Sequence, residues 1–453
     1  MKVYEYCSIG LLVVALVLVP LRASANPEAA ILFDARSMGL GGTGQGLSLG
    51  AASTFNNVAL LNDVERGAMT LAMSPLVIRP YGPLLNYDTV TVEQGEGQRA
   101  VVPLPFLGGA LRVHERVVVG LAAHVRNGFG GEFRNVLDDH DLTLALAGFE
   151  IQVPVSIEIT PQLFVGAALR FQYQQVSSEI VAPIFDGSNG QLLAAALVRQ
   201  DMSGFGAIPG GTLSVAYRPI DDEDARLTLG ATYRSMVRVD VTGDTHVGLQ
   251  VINGAPMGGA PPCANFNSTT MEFDCATKAR IRTPHVLSLG AAFEGLERRL
   301  TVAGDFVARF YDSSNRNIVT RDRNDASAAP VSVVALRWRN TYEARVGGEY
   351  VVLPQLLLRA GYAFYTSATP KSTAGVLAPS PGVGHMLTGG VGLRFGPVDL
   401  DLAAGGIWSG ATVSPGTQGP SDLNPPQPPT PGRYTADMFF IGLSVAYHHG
   451  REI

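Results

Sequence analysis

The stretch Asn340–Thr369, NTYEARVGGEYVVLPQLLLRAGYAFYTSAT, decides the fold. Its first arm places Tyr342, Ala344, Val346, Gly348, Tyr350 and Val352 on one side and Glu343, Arg345, Gly347 and Glu349 on the other. Period two is the signature of a strand with one apolar and one polar face. Leu353-Pro354-Gln355 breaks the run. The second arm then sets Leu356, Leu358, Ala360, Tyr362 and Phe364 against Leu357, Arg359, Gly361, Ala363 and Tyr365. Each arm exceeds the about 9–11 residues that a tilted strand needs to cross a bilayer. Aromatic residues near the arm ends suit a membrane interface. The apolar face is expected to meet lipid, and Glu343, Arg345, Glu349 and Arg359 to share the lumen.

Working outward, the same unit recurs. Strand candidates are 66–79, 100–113, 116–126, 148–160, 162–180, 203–218, 225–247, 278–294, 298–312, 340–353, 355–369, 383–395, 397–411 and 434–449. These fourteen form the even set that a bacterial single-chain barrel requires. Short connections (His114-Glu115, Pro161, 219–224, 295–297, Pro354, Gly396) alternate with long ones (80–99, 127–147, 181–202, 248–277, 313–339, 370–382, 412–433). Periplasmic turns on one rim and extracellular loops on the other produce this asymmetry. A soluble sandwich has no need of it. The reading is therefore all-β: a transmembrane antiparallel β-barrel of about fourteen strands. The segment Val331–Arg339 is expected to form a small helix, to pack over the barrel mouth or to extend the tenth strand.

Composition agrees. The 453-residue chain is rich in Gly (52) and poor in charge (16%), as strands facing both lipid and water require. A formal net charge of −6 with no Lys/Arg cluster argues against a nucleic-acid partner. The start, MKVYEYCSIGLLVVALVLVPLRASA, has an apolar run from Ile9 to Val19 and an Ala23-Ser24-Ala25 cleavage pattern. Residues 1–25 read as a signal peptide that is removed on export. Of the three cysteines, Cys263 and Cys275 remain after cleavage, both in one loop, and an oxidising compartment favours their pairing. No metal site or cofactor is expected.

Two motifs in the Gly-rich stretch 26–67 look catalytic. Gly39–Gly44 fits G-x-G-x-x-G, and Gly46–Gly50 fits G-x-S-x-G. The first lacks its preceding βαβ strand, and the second lacks a buried strand before and a helix after. Compact packing against other backbone is the better reading of both. The histidines at 114, 124, 140, 246, 285 and 385 form no local signature with a nucleophile. An enzyme is not expected. His448 and His449 read as a frayed polar tail.

Residues 338–400 resemble the FadL/TodX family of outer-membrane transporters for long-chain fatty acids and aromatic hydrocarbons. The matching residues are Trp338-Arg339-Asn340-Thr341-Tyr342-Glu343, Arg345–Tyr350, Arg359-Ala360-Gly361-Tyr362, Pro370, His385, Gly390–Gly396 and Asp399–Ala403. Thr283-Pro284-His285 and Leu289–Phe293 are similar to the family's eighth-strand region. The resemblance implies a hatch, or plug, at 26–65 folded inside a barrel of residues 66–453. It also implies passive uptake of a hydrophobic small molecule across the outer membrane of a Gram-negative bacterium, amid lipid and lipopolysaccharide, by a monomer. Phe33, Met38, Phe55 and Asn56 are then the hatch residues expected to meet the ligand, and Arg359 is a candidate cation for a carboxylate, with a lumen ion pair among Glu343, Arg345 and Glu349 the favoured reading of it. The family's Asn-Pro-Ala is replaced here by Asn56-Asn57-Val58, which is expected to leave that turn less rigid. The alternative is a structural or secretion-linked barrel that binds a partner protein and moves no solute.

Overall fold

In the computed structural model, residues 33–185, 191–253, 266–267, 272–314, 316–325, 327, 329–422 and 428–451 are described. Fourteen staves form the wall. They are β1 (Gly67–Met73 and Leu76–Asn86), β2 (Ala100–Val102 and Pro105–His114), β3 (Val117–Leu137), β4 (His140–Thr160), β5 (Leu163–Phe185), β6 (Leu192–Phe205 and Gly210–Asp221) and β7 (Arg226–Arg234 and Arg238–Val251). Then follow β8 (Glu272–Arg282 and His285–Gly295), β9 (Leu300–Phe310), β10 (Thr341–Leu353), β11 (Leu356–Tyr365), β12 (Gly384–Phe395), β13 (Val398–Val413) and β14 (Gly432–His449). Each pairs antiparallel with its neighbours. The barrel closes where β1 meets β14, from Gly67 opposite His449 to Met73 opposite Leu443. The predicted leader at 1–25 and Cys263 lie outside the described residues.

Burial is inverted relative to a soluble protein. Leu121, Ile151, Leu229, Leu289, Leu402 and Ile441 are exposed on the outer face, whereas Glu343, Arg345, Glu349 and Arg359 are buried. Only a solvent of lipid outside, with a satisfied polar interior, makes that arrangement stable. The alternation expected for 340–369 is present with its phase intact.

Several staves are broken, and proline marks most of the breaks. Pro75 and Pro103 sit at the gaps of β1 and β2, where Ser74 and Leu104 exchange backbone hydrogen bonds of 3.1 and 3.2 Å. Pro209 ends the gap of β6, and Pro284 that of β8. Proline has no N–H to give to a ladder, so pairing lapses there.

Two expected loops are corrected. Most of 127–147 continues β3 and β4 as a hairpin that turns at Asp138-Asp139, and much of 181–202 extends β5 and β6. Beyond the membrane both faces of a strand are wetted, so polar alternation weakens and the sequence resembles a loop. The segment 331–339 contributes Ser332–Ala335, which pairs with Asn317–Asp322, and Trp338 packs edge-on against Phe129 and Tyr311. The C-terminal tail is corrected too. His448 Nε2 lies 3.2 Å from Asp399 Oδ2, and Arg451 Nη1 is 2.6 Å from Asp399 Oδ1, so the tail is pinned.

Candidate functional site: the hatch and the cavity above it

Residues 33–65 fold into short pieces within the lumen, at the end of the barrel with short turns. They are helix α1 (Ala35–Gly39), a 3-10 turn (Gly50–Ala52), α2 (Ser53–Asn56) and a longer 3-10 turn (Val58–Asp63). Helices this short have little intrinsic stability. Asp34 caps α1, its Oδ2 accepting from the Ser37 amide at 3.0 Å. The remaining support comes from the wall.

That support is apolar and ionic: Phe33, Leu40 and Phe55 pack with Phe106 and Ala122, Val58 and Leu61 with Val118 and Ala168, and buried charges tie the same segment to the wall. Arg36 donates to both carboxylate oxygens of Glu349, at 3.1 and 2.9 Å. Glu349 also accepts from Arg359 at 2.6 Å, and Arg359 reaches on to Asp401 at 2.6 Å. Arg359 is thus held between Glu349 and Asp401, in the kind of lumen ion pair that the sequence favours over a ligand role. A second network joins Glu343 to Arg309 at 2.8 Å and to Arg345 at 2.7 Å, and Arg345 donates to the carbonyl of Gly42 at 2.9 Å. Asp305 accepts from the Gly44 amide at 2.8 Å. In a third network Glu150 lies between Arg170, 2.9 Å away, and Arg234, which donates to the Phe55 carbonyl at 2.7 Å. Each buried charge thus has an opposite charge or a backbone dipole beside it.

Backbone approaches are equally tight. A Cβ on Gly361 of β11 would stand 2.1 Å from the nitrogen of hatch residue Gly41, which itself has a φ of +68°. Glycine on both sides of this contact is what lets the hatch backbone lie on the wall. The G-x-G-x-x-G pattern is therefore used for packing. Asn57, in the place of the family's proline, ties the turn instead of loosening it. Its Oδ1 accepts from the Ala59 amide at 3.1 Å, and its Nδ2 donates to the carbonyls of Gln45 at 2.8 Å and Val215 at 3.1 Å.

Above the hatch lies a small cavity lined by Gln45, Phe55, Asn56, Val286, Ser288 and Val307, and by Arg126, Arg234, Arg309 and Arg345. Four arginines and no carboxylate face it. Acids stand behind the lining: Glu343 and Glu150 are each shared between two arginines, and Asp305 accepts from the amides of Gly44 and Gln45. Among the described residues, Asn56 Nδ2, Gln45 Oε1 and Arg345 Nη2 are buried there without a hydrogen-bond partner. Of the sequence-predicted residues, Phe55, Asn56 and Arg345 meet at this cavity. Phe33 sits behind, its ring 4.1 Å from that of Phe55. Met38 is buried elsewhere, against Ser74 and Gly442. Sequence reading missed Arg126, Arg234 and Arg309. Each is one cation among others in a predicted strand, and only barrel closure converges them.

The sequence profile of the family described as outer membrane protein transport protein (OMPP1/FadL/TodX) matches residues 22–448. Among solved structures, the fold is similar to a Pseudomonas aeruginosa FadL homologue (TM-score 0.76, 17% identity, covering 95% of this chain and 100% of that one). It is also similar to the Pseudomonas putida toluene transporter TodX (0.65, 17%, 95% and 100%) and the Ralstonia pickettii toluene transporter TbuX (0.63, 16%, 93% and 98%). At these identities the likeness is one of fold. No protein of curated function matches the chain.

Proposed function

The chain belongs to the family of outer membrane transport proteins (OMPP1/FadL/TodX), and on that premise we propose that it takes up amphipathic hydrophobic molecules carrying an anionic head, of the fatty-acid type. One observation carries this reading: the cavity over the hatch, where four arginines flank Phe55, Val286 and Val307. A purely apolar solute such as an alkylbenzene leaves buried donors like Asn56 Nδ2 and Arg345 Nη2 unsatisfied, at a cost of about 1–3 kcal/mol each. A carboxylate accepts from them, and arginine suits it through paired N–H donors. The apolar chain then extends from the head toward the mouth. For passage the hatch shifts, and ligand drives this only by favouring the shifted arrangement.

The test is uptake by proteoliposomes of a labelled fatty acid, its neutral methyl ester and toluene. The acid is expected to enter fastest, and Arg345→Met to slow the acid while leaving the ester unchanged. Equal rates for acid and ester in the wild type would overturn the head-group reading. Replacing Arg36 and Glu349 by cysteine and bridging them with a short thiol crosslinker is expected to stop uptake. The ionic density between hatch and wall favours a second reading, a permanently plugged structural barrel that binds a partner protein. No uptake of any hydrophobe by the uncrosslinked protein would establish that one.

A further inference from the structure

Trp338 lies across the barrel mouth, over the arginine cavity. Its ring meets Phe129 and Tyr311 edge-on, with centroids 5.3 Å away on both sides. Phe129 belongs to β3, and Tyr311 directly follows β9. These two staves stand nearly opposite each other in the fourteen-stave wall, so the indole spans the lumen between them. The same staves supply Arg126 and Arg309 to the cavity. Phe129 lies three residues beyond Arg126 toward the mouth, and Tyr311 two beyond Arg309. For tilted strands that is a rise of roughly 5–7 Å. A carboxylate head fits beneath the ring, but a long chain attached to it cannot pass unless the ring moves.

The ring is held in a way that lets it move. It packs against an apolar cluster that includes Val239, Val241 and Ile281. Its Nε1 is buried and has no hydrogen-bond partner among the described residues. A buried indole N–H usually has one, and an outward swing toward water supplies it. The backbone on both sides is fixed. The amides of Leu336 and Arg337 donate to the Arg316 carbonyl at 3.1 and 2.9 Å, and the Arg339 amide donates to the Ala368 carbonyl at 2.8 Å. Arg337 has a φ of +49°, which a residue with a side chain seldom adopts, and this turn aims the next side chain into the barrel. Rotation of one side chain therefore opens the path, with no rearrangement of the loop. The ring is half-buried, so its outer edge already reaches the mouth.

Taking the arginine cavity as the seat of an anionic head, a reading on which the inference rests, we propose that Trp338 is its roof and admits long-chain ligands by swinging out of the lumen. With the ring out, a hydrocarbon chain rises past Phe129 among Val239, Val241 and Ile281. The protein has two tryptophans, and the other, Trp408, lies on the lipid face. Trp408→Phe thus leaves Trp338 as the sole indole reporter in the full-length barrel, held in a lipid nanodisc. Hexadecanoate is expected to shift Trp338 emission to the red and to open it to quenching by aqueous acrylamide. Butanoate, short enough to fit beneath the ring, is expected to compete with hexadecanoate and to cause no shift. Trp338→Ala is expected to lower the hexadecanoate concentration for half-maximal uptake about tenfold, as for a ring that stands aside about a tenth of the time. Trp338→Phe should lie between. Unchanged emission at a hexadecanoate concentration that saturates uptake would overturn the roof and leave the head-group reading standing. Weaker uptake by a folded Trp338→Ala barrel would also overturn it, by making the ring a ligand contact. If methyl hexadecanoate shifts the emission as the acid does, the roof holds and the head-group reading falls.

Discussion

Single residues decide how firmly the hatch is held. Glu349 is shared by Arg36 of the hatch and Arg359 of the wall. Removing one member of a buried ion pair costs about 3 kcal/mol or more. Glu349→Gln is therefore expected to raise hydrogen exchange in residues 35–39 about a hundredfold, with the barrel staves unchanged. Asp34 is a titrating contact. Burial pushes its carboxyl up to about 6, helped by the charge of Asp401, against the Ser37 amide and Arg36, which oppose the rise. An acid whose docked pKa lies above its free value of 3.8 binds more protons docked than released. Docking is thus strongest below about pH 4, weakens as pH rises, and has lost the whole contribution above about pH 6. Corrected for intrinsic exchange, protection of residues 35–39 should fall about tenfold between pH 5 and pH 7. Asp34→Asn, which keeps a side-chain oxygen for the cap, should remove this component of the slope.

At the scale of elements, the hatch and the wall shape each other. A serine at Gly361 would drive its Cβ into the Gly41 nitrogen, 2.1 Å away. Gly361→Ser is expected to leave an inserted barrel whose hatch is cleaved rapidly by protease added from the periplasmic side, whereas wild type resists. Resistance equal to wild type would mean that the hatch backbone does not rest on β11. The extracellular loops make a separate prediction. Cys275 is disulfide-bonded, and its expected partner is Cys263. Thiol labelling of denatured, unreduced mature protein should therefore detect no free thiol. Two labelled cysteines would show the loop to be open.

For the whole molecule, the lipid face carries the stability of insertion. Tyr350 and Leu358 are outward and directly opposite one another. An arginine on the lipid face costs roughly 2–4 kcal/mol at the midplane and less toward the rim, where this pair flanks the Pro354 turn. Tyr350→Arg with Leu358→Arg should reduce the folded, heat-modifiable species in outer-membrane fractions, and Glu349→Gln should not. The opposite ranking would place β10 and β11 one residue out of phase.

The sequence by itself determined the barrel, its fourteen staves and the faces of the hairpin at 340–369. Strand alternation is local, and a lipid exterior forces it to be strict. Where that constraint stops, at the wetted extensions of β3 through β6, reading by alternation stopped as well. Only the tertiary structure decided which charges belong together. Glu343, Arg345, Glu349 and Arg359 are near in sequence yet divide between two networks, completed by Arg309, Asp401 and the hatch residue Arg36. Arg126, Arg234, Arg309 and Arg345 come from β3, β7, β9 and β10 and converge only because the sheet closes on itself. Residues from separate staves become neighbours through curvature, and curvature leaves no mark on the local pattern of any one strand.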